Sequence, residues 1–168
     1  MAESKNSVDQ NDQPGTKPKF GNPVYWIAIG FGSGLAPKAP GTFGTLVAVP
    51  LYLLMNELLM WQYLAVVALA TGIGIWICGV AARQMGVHDD PSIVWDEIVG
   101  FLITMIAVPP GWIWIVVGFV LFRFFDIAKP WPIRVIDRRV SGGMGIMMDD
   151  VLAGVFALVS IHILIAVL

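Results

Sequence analysis

The chain has 168 residues, of which 57% are hydrophobic and 13% charged, with a net charge of −2. Average globular domains hold roughly 45–50% apolar and about 25% charged residues, so this composition, with a mean hydropathy of +0.77, is that of a membrane protein. The basic stripe of a nucleic-acid-binding module is absent, and the single cysteine, Cys78, excludes a disulfide within the chain.

Residues 1–19 carry six charged residues and almost no large apolar ones, which reads as a disordered polar tail ahead of a single domain over 20–168. No apolar core follows a basic start, so the tail is not a signal peptide. Residues 24–31 are apolar but too short to span, and predict a short helix or interfacial segment leading into a loop at 32–44. A first long apolar helix is expected over 45–60, with a kink at Pro50, and a second over 63–82. Residues 83–96 are polar and contain Gly86 and Pro91; a third helix follows from Trp95 to Val108, stopped by Pro109-Pro110-Gly111. The fourth covers 112–125, a polar segment 126–148, and the last helix runs from Asp149 to Leu168. The expected fold class is all-α, a multi-helix integral membrane bundle. Crossing ~30 Å of hydrocarbon takes roughly 20 residues; the second and last helices meet that length, the first is borderline, and the third and fourth are short.

Charge placement orients the bundle. With the loops at 32–44, 83–96 and 126–148 on one side, all ten Lys and Arg fall on that side, counting the tail, and the opposite turns carry only Glu57. The positive-inside rule makes the charged side cytoplasmic. Trp61, Trp112 and Trp114 mark the far interface, and Trp26, Trp95 and Trp131 the near one.

Seven acids map to the ends of apolar segments on that charged side: Asp89, Asp90, Asp96, Glu97, Asp126, Asp149 and Asp150. Carboxylates next to hydrocarbon are costly unless paired, hydrated or bound to a cation. Asp96 and Glu97 are expected in the first turn of the third helix, and Asp149 and Asp150 at the opening of the last, where the macrodipole favours acids. Taken singly, each pair could simply cap its helix. Asp126 ends the fourth helix, where the dipole disfavours an acid, so it needs a bound cation or a partner such as Arg123. Together, Asp96, Glu97, Asp126, Asp149 and Asp150 suggest a metal site. His88 and His162 form no cluster, and all-oxygen ligation suits Mg²⁺, Mn²⁺ or Ca²⁺ rather than Zn²⁺.

Mg²⁺ is usually held by one or two carboxylates plus substrate phosphate, which makes phosphate chemistry the expectation. Lys129, Arg134 and Lys38 are cations on the same side, and Arg can hold phosphate oxygens bidentately. The APGTFGT stretch at 39–45, with Gly41 and Thr42, opens the first long helix and offers free backbone N–H groups to an anion. Arg138 and Arg139 read equally well as a solvated loop touching lipid headgroups. A cysteine phosphatase is excluded because Cys78 lies in an apolar helix, and no Asp-x-Asp motif is present. What remains is metal-assisted attack by water, with a carboxylate as general base, or attack by an Asp. The alternative, a cation-binding membrane transporter or channel subunit, would need ionisable residues at mid-membrane depth, and the apolar spans carry none.

Three stretches carry a resemblance: GFGSGLAPKAPGTFGTL (30–46), MGVHDDPSIVWDEIVG (85–100) and FRFFDIAKPWPIRVIDRRVSGGMGIMMDDVLAG (122–154). In these the chain closely resembles the phosphatidylglycerophosphatase A family of bacterial inner-membrane lipid phosphatases, over about residues 20–168. The resemblance implies an all-α fold and a Mg²⁺ requirement. It also implies removal of the terminal phosphate of phosphatidylglycerol phosphate, giving phosphatidylglycerol and inorganic phosphate, at the cytoplasmic face. Carried onto this chain, the catalytic and metal-binding acids would be Asp96, Glu97, Asp126, Asp149 and Asp150, with Lys129 also catalytic. Gly41, Thr42, Lys129 and Arg134 would bind the substrate. Asp90 and Lys38 carry less weight, and the oligomeric state is left open.

Overall fold

The computed structural model describes residues 21–86 and 90–168. The tail at 1–19, His88 and Asp89 lie outside the described residues. Those described form seven α-helices and no strand: α1 (Pro23–Ala28), α2 (Pro40–Met55), α3 (Met60–Met85), α4 (Trp95–Thr104), α5 (Trp112–Ala128), α6 (Ile133–Arg139) and α7 (Gly142–Val167). A 3₁₀ segment, Gly30–Leu35, links α1 to α2.

Local chemistry sets most of the boundaries. Asn22 caps α1 by accepting from Val24 N at 2.9 Å, with Pro23 in the first helical turn. α2 begins at Pro40, five residues before the expected 45, because a proline at a helix start loses no hydrogen bond. The helix continues through Pro50 and stops at Met55 rather than residue 60. Gly86, at φ 68°, closes α3 in the left-handed conformation that residues with a β-carbon avoid. α4 ends at Thr104, short of the expected Val108, where the chain tightens into bonds from Ile106 N to Ile103 O and from Val108 N to Met105 O.

The largest departure from the sequence reading lies in 126–148. That stretch is not an open polar segment: α5 runs on to Ala128, α6 follows, and α7 starts at Gly142. Asp149 and Asp150 therefore sit two turns inside α7 rather than opening it, and its first turn holds no acid. The glycines of GGMGIMM serve packing. A β-carbon on Gly143 would stand 2.6 Å from the backbone nitrogen of Gly79, so this glycine lets α7 lie directly on α3.

α7 is the central element, packed against α3, α4, α5 and α6. Where it crosses α4, a β-carbon on Gly154 would meet the carbonyl oxygen of Gly100 at 2.5 Å, and one on Gly100 would lie 2.9 Å from the carbonyl oxygen of Asp150. This contact draws the acids of α7 toward the first turn of α4. Phe101, Phe122, Met147 and Ile161 fill the surrounding core. Tyr63 donates to Leu102 O at 2.7 Å, tying α3 to α4. Trp95 does not face outward as an interface tryptophan would; its indole N–H donates to Ala70 O at 3.1 Å, against α3.

α3 and α7, at 26 residues each, are long and apolar enough to cross a membrane, and α2 is a shorter apolar helix. Only 33% and 28% of the most apolar windows of α3 and α7 is buried, unlike the core helices of a soluble protein. Leu54, Trp61, Leu69, Ile113 and Ile127 are among the large side chains left exposed. The fold is all-helical and compatible with a multi-helix membrane bundle.

Candidate active site

The site is built from the first turn of α4 outward. Val94, just before α4, donates its N–H to Ala28 O at 2.9 Å, which fixes the start of the helix against α1. Asp90 shapes the approach. Its carboxylate accepts from Ser92 N at 2.9 Å and from Ser92 Oγ at 2.6 Å, a turn-forming role. Asp96 and Glu97 then fall in the first turn, where free N–H groups favour negative charge. Ile98, Val99 and Phe101 bury the helix behind them.

Asp150 reaches the same place from α7. One carboxylate oxygen from each of Asp96, Glu97 and Asp150 lies within 4.8 Å of the others. Asp96 and Asp150 are buried, and Glu97 is half-buried. Asp96 Oδ1 and Glu97 Oε2 meet no hydrogen-bond donor among the described residues. Three converging carboxylates repel one another unless a cation or shared protons sit among them.

Two cations of the chain flank the trio. Arg123 pairs with Asp126 one turn along α5 and reaches Glu97 at 3.8 Å. The partner that Asp126 needs at the end of a helix is therefore Arg123. Lys129, the left-handed residue that closes α5 (φ 41°), bridges Asp149 at 2.5 Å and Asp137 of α6 at 2.7 Å. Burial works against the Lys129 charge, but the hydrogen bonds it donates to Asp137 and Asp149 outweigh it and hold its pKa above the ordinary lysine value.

The trio, Arg123, Asp126, Lys129 and Asp149 line one cavity of about 340 Å³, walled also by Gly41, Pro91 and Ile93. All five acids of the sequence reading, with Lys129 and Gly41, are thus brought together. They divide into the trio Asp96, Glu97 and Asp150, and a pair, Asp126 and Asp149, each held by a cation. Thr42, Lys38 and Arg134 do not line the cavity; Lys38 and Arg134 are exposed. Asp137 adjoins Arg138 and Arg139 in sequence but pairs with Lys129, because α6 folds back toward the end of α5. Arg123 stood in the sequence only as a partner for Asp126, yet it is a full member of the cavity wall. A lone arginine inside FRFFD, three residues before an acid, was the available signal.

The sequence model of phosphatidylglycerophosphatase A matches residues 26–165. This chain belongs to the phosphatidylglycerophosphatase A family. It is 53% identical over 141 residues to a phosphatidylglycerophosphatase A of Escherichia coli (strain K12), covering 83% of this chain and 81% of that protein. A phosphatidylglycerophosphatase A of Haemophilus influenzae is 47% identical over 82% of this chain and 86% of its own. A protein of Bacteroides thetaiotaomicron named putative phosphatidylinositol-3-phosphatase is 44% identical, over 82% and 90% respectively. No solved structure matches the chain at a significant level.

The donor set of the cavity fits a hard divalent cation. It offers carboxylate oxygens alone, two of them buried and unsatisfied, beside open volume for water and a phosphate.

Proposed function

We propose that this chain is a Mg²⁺-dependent lipid phosphatase that hydrolyses the terminal phosphomonoester of phosphatidylglycerol phosphate, releasing phosphatidylglycerol and inorganic phosphate. The phosphatidylglycerophosphatase activity follows from family membership. The observation that carries the metal is the convergence of Asp96, Glu97 and Asp150 within 4.8 Å. Mg²⁺ held there would polarise the phosphoryl group and lower the pKa of a bound water.

The chain's own groups do the rest. Arg123 and Lys129 face the cavity as fixed positive charges and offset the charge developing on the equatorial phosphoryl oxygens. Asp126 and Asp149 hold those two side chains in place, so they need no reorganisation when substrate arrives. A carboxylate of the cluster accepts the proton of the attacking water. The buried α4–α7 contact fixes the spacing of the acids.

The chain is read as a multi-pass protein of the bacterial inner membrane, with this cavity at the cytoplasmic face. Support comes from the apolar exposed surfaces of α3 and α7 and from the placement of Lys and Arg. Acyl chains would remain in the bilayer while the phosphoglycerol headgroup enters the cavity. A cation transporter would place its acids mid-span, whereas Asp96 and Glu97 lie in the first turn of α4 and Asp149 and Asp150 in the N-terminal third of the 26-residue α7.

The test is phosphate release from purified protein and phosphatidylglycerol phosphate in mixed micelles. Activity should vanish with EDTA and return with Mg²⁺. Undiminished release from a rigorously metal-free preparation would overturn the metal assignment, and no release under any condition the reaction itself.

A further inference from the structure

Beside the polar cavity lies a second, apolar depression of about 460 Å³ on the outer face of α5, lined by Phe119, Val120, Arg123, Phe124, Ile127 and Ala128. Arg123 and Ile127 line both. The guanidinium of Arg123 is turned to Glu97 and Asp126, while Val120, Phe124 and Ile127 leave 59%, 60% and 71% of their surface exposed. One continuous surface therefore runs from the carboxylates, past a single arginine, into a hydrocarbon-lined groove. From Ile127 to Val120 it extends about 10 Å along the helix at 1.5 Å per residue.

We propose that this groove seats an acyl chain of the substrate lipid, so that α5 delivers the headgroup into the cavity past Arg123. The proposal rests on the lipid-phosphatase reading above and adds where the lipid lies. A substrate joining hydrocarbon to an anionic headgroup matches the surface in order: chain on Val120 and Phe124, anionic linker at Arg123, terminal phosphate at the carboxylate cluster. Hydrocarbon gains little by leaving other hydrocarbon, so inside a bilayer the groove acts by position rather than by affinity. Holding the chain fixes the distance between the headgroup and the reacting atoms, and small misplacements there are costly in rate.

The test uses two substrates with the same headgroup. Dibutyryl phosphatidylglycerol phosphate, which is water-soluble and whose four-carbon chains need no groove to bring the headgroup to the cavity, is presented in water; the dipalmitoyl lipid is presented in mixed micelles at fixed mole fraction. Val120→Trp fills the distal end of the groove. Ile113→Trp puts the same bulk on the exposed side of α5, where Ile113 is 70% exposed, two turns away and outside the groove. Val120→Trp should lower kcat/KM for the dipalmitoyl lipid about tenfold or more and leave the dibutyryl lipid unchanged, while Ile113→Trp leaves both unchanged. Equal losses on both lipids, no loss on either, or equal effects of the two tryptophans would overturn the groove assignment while leaving the phosphatase reading intact. A wild-type protein that releases phosphate from neither lipid would overturn both.

Discussion

Gly41 in the first turn of α2 and Glu97 in the first turn of α4 are packed so closely that a β-carbon on Gly41 would run into Glu97 Oε1 and stand 2.9 Å from Arg123 Nη1. The contact is one of space alone, since alanine would suit the helical backbone of α2 better than glycine does. Its effect is to press α2 against the Glu97–Arg123 pair and close that wall of the cavity.

Gly41→Ala should therefore separate stability from activity. Helix propensity favours alanine by up to about 1 kcal/mol, while overpacking costs about 1–3 kcal/mol, so unfolding should change by about 0–2 kcal/mol, short of unfolding the protein. Glu97 and Arg123 must move to admit the methyl group, and phosphate release should fall roughly tenfold or more. Parallel thermal unfolding and activity measurements check this; full activity would mean that the wall is softer than its packing indicates.

Much of this site could be read from residue order. The apolar segments and their breakers gave the helices, and Asp96 and Glu97 at a helix start followed from Pro91 and the run beginning at Trp95. What could not be read was tertiary. The glycines before Asp149 look like loop residues until α3 is placed beside them, so residue order alone puts the start of α7 seven residues late. Nothing in the sequence separates Asp150, which joins the metal trio, from Asp149, which pairs with Lys129. Adjacent residues on a helix point about 100° apart, and only the position of α4 decides which one faces it. Asp137 likewise looked local because Arg138 and Arg139 adjoin it, whereas its partner lies eight residues back.

Arg123 carries two acids, and its side chain is 15% exposed, with Asp126 at 13% and Glu97 at 14%. Removing one member of such a buried network leaves charge uncompensated, typically at a cost of about 3–5 kcal/mol. Arg123→Gln should lower the unfolding free energy by an amount of that order and abolish activity. Arg123→Lys should recover most of the stability, because the charge remains, but little activity, because the planar fork is lost. Denaturant unfolding and phosphate release on both variants test the split; a Lys variant no more stable than the Gln variant would show that the charge alone does not hold the network.

Topology is checked by labelling. After Cys78 is replaced, single cysteines at positions 138–142 should be shielded from membrane-impermeant thiol reagents in intact cells, and one at Gly111 should react. Both outcomes follow from the positive-inside rule. The reverse pattern would turn the cavity to the outside.

The division of the five acids gives the most discriminating experiment. Asp→Asn keeps a side-chain oxygen and nearly the same volume but removes the charge a divalent cation needs. Asp96→Asn and Asp150→Asn strike the trio that lies within 4.8 Å, so they should lose about 10²-fold or more in activity, as several kcal/mol of metal stabilisation is withdrawn. Added Mg²⁺ should partly restore them, because a weakened site refills by mass action. Asp149→Asn acts differently. It frees Lys129 from one of its two carboxylates, so its loss should not respond to Mg²⁺. Asp137→Asn removes the more exposed partner, with 34% of its side chain accessible; pairs that open to solvent contribute at most about 1 kcal/mol, and activity should change less than about tenfold. Activity is measured across a Mg²⁺ titration at matched expression. If the Asp149 variant were rescued by Mg²⁺ while the Asp150 variant were not, the two adjacent acids would have to exchange roles.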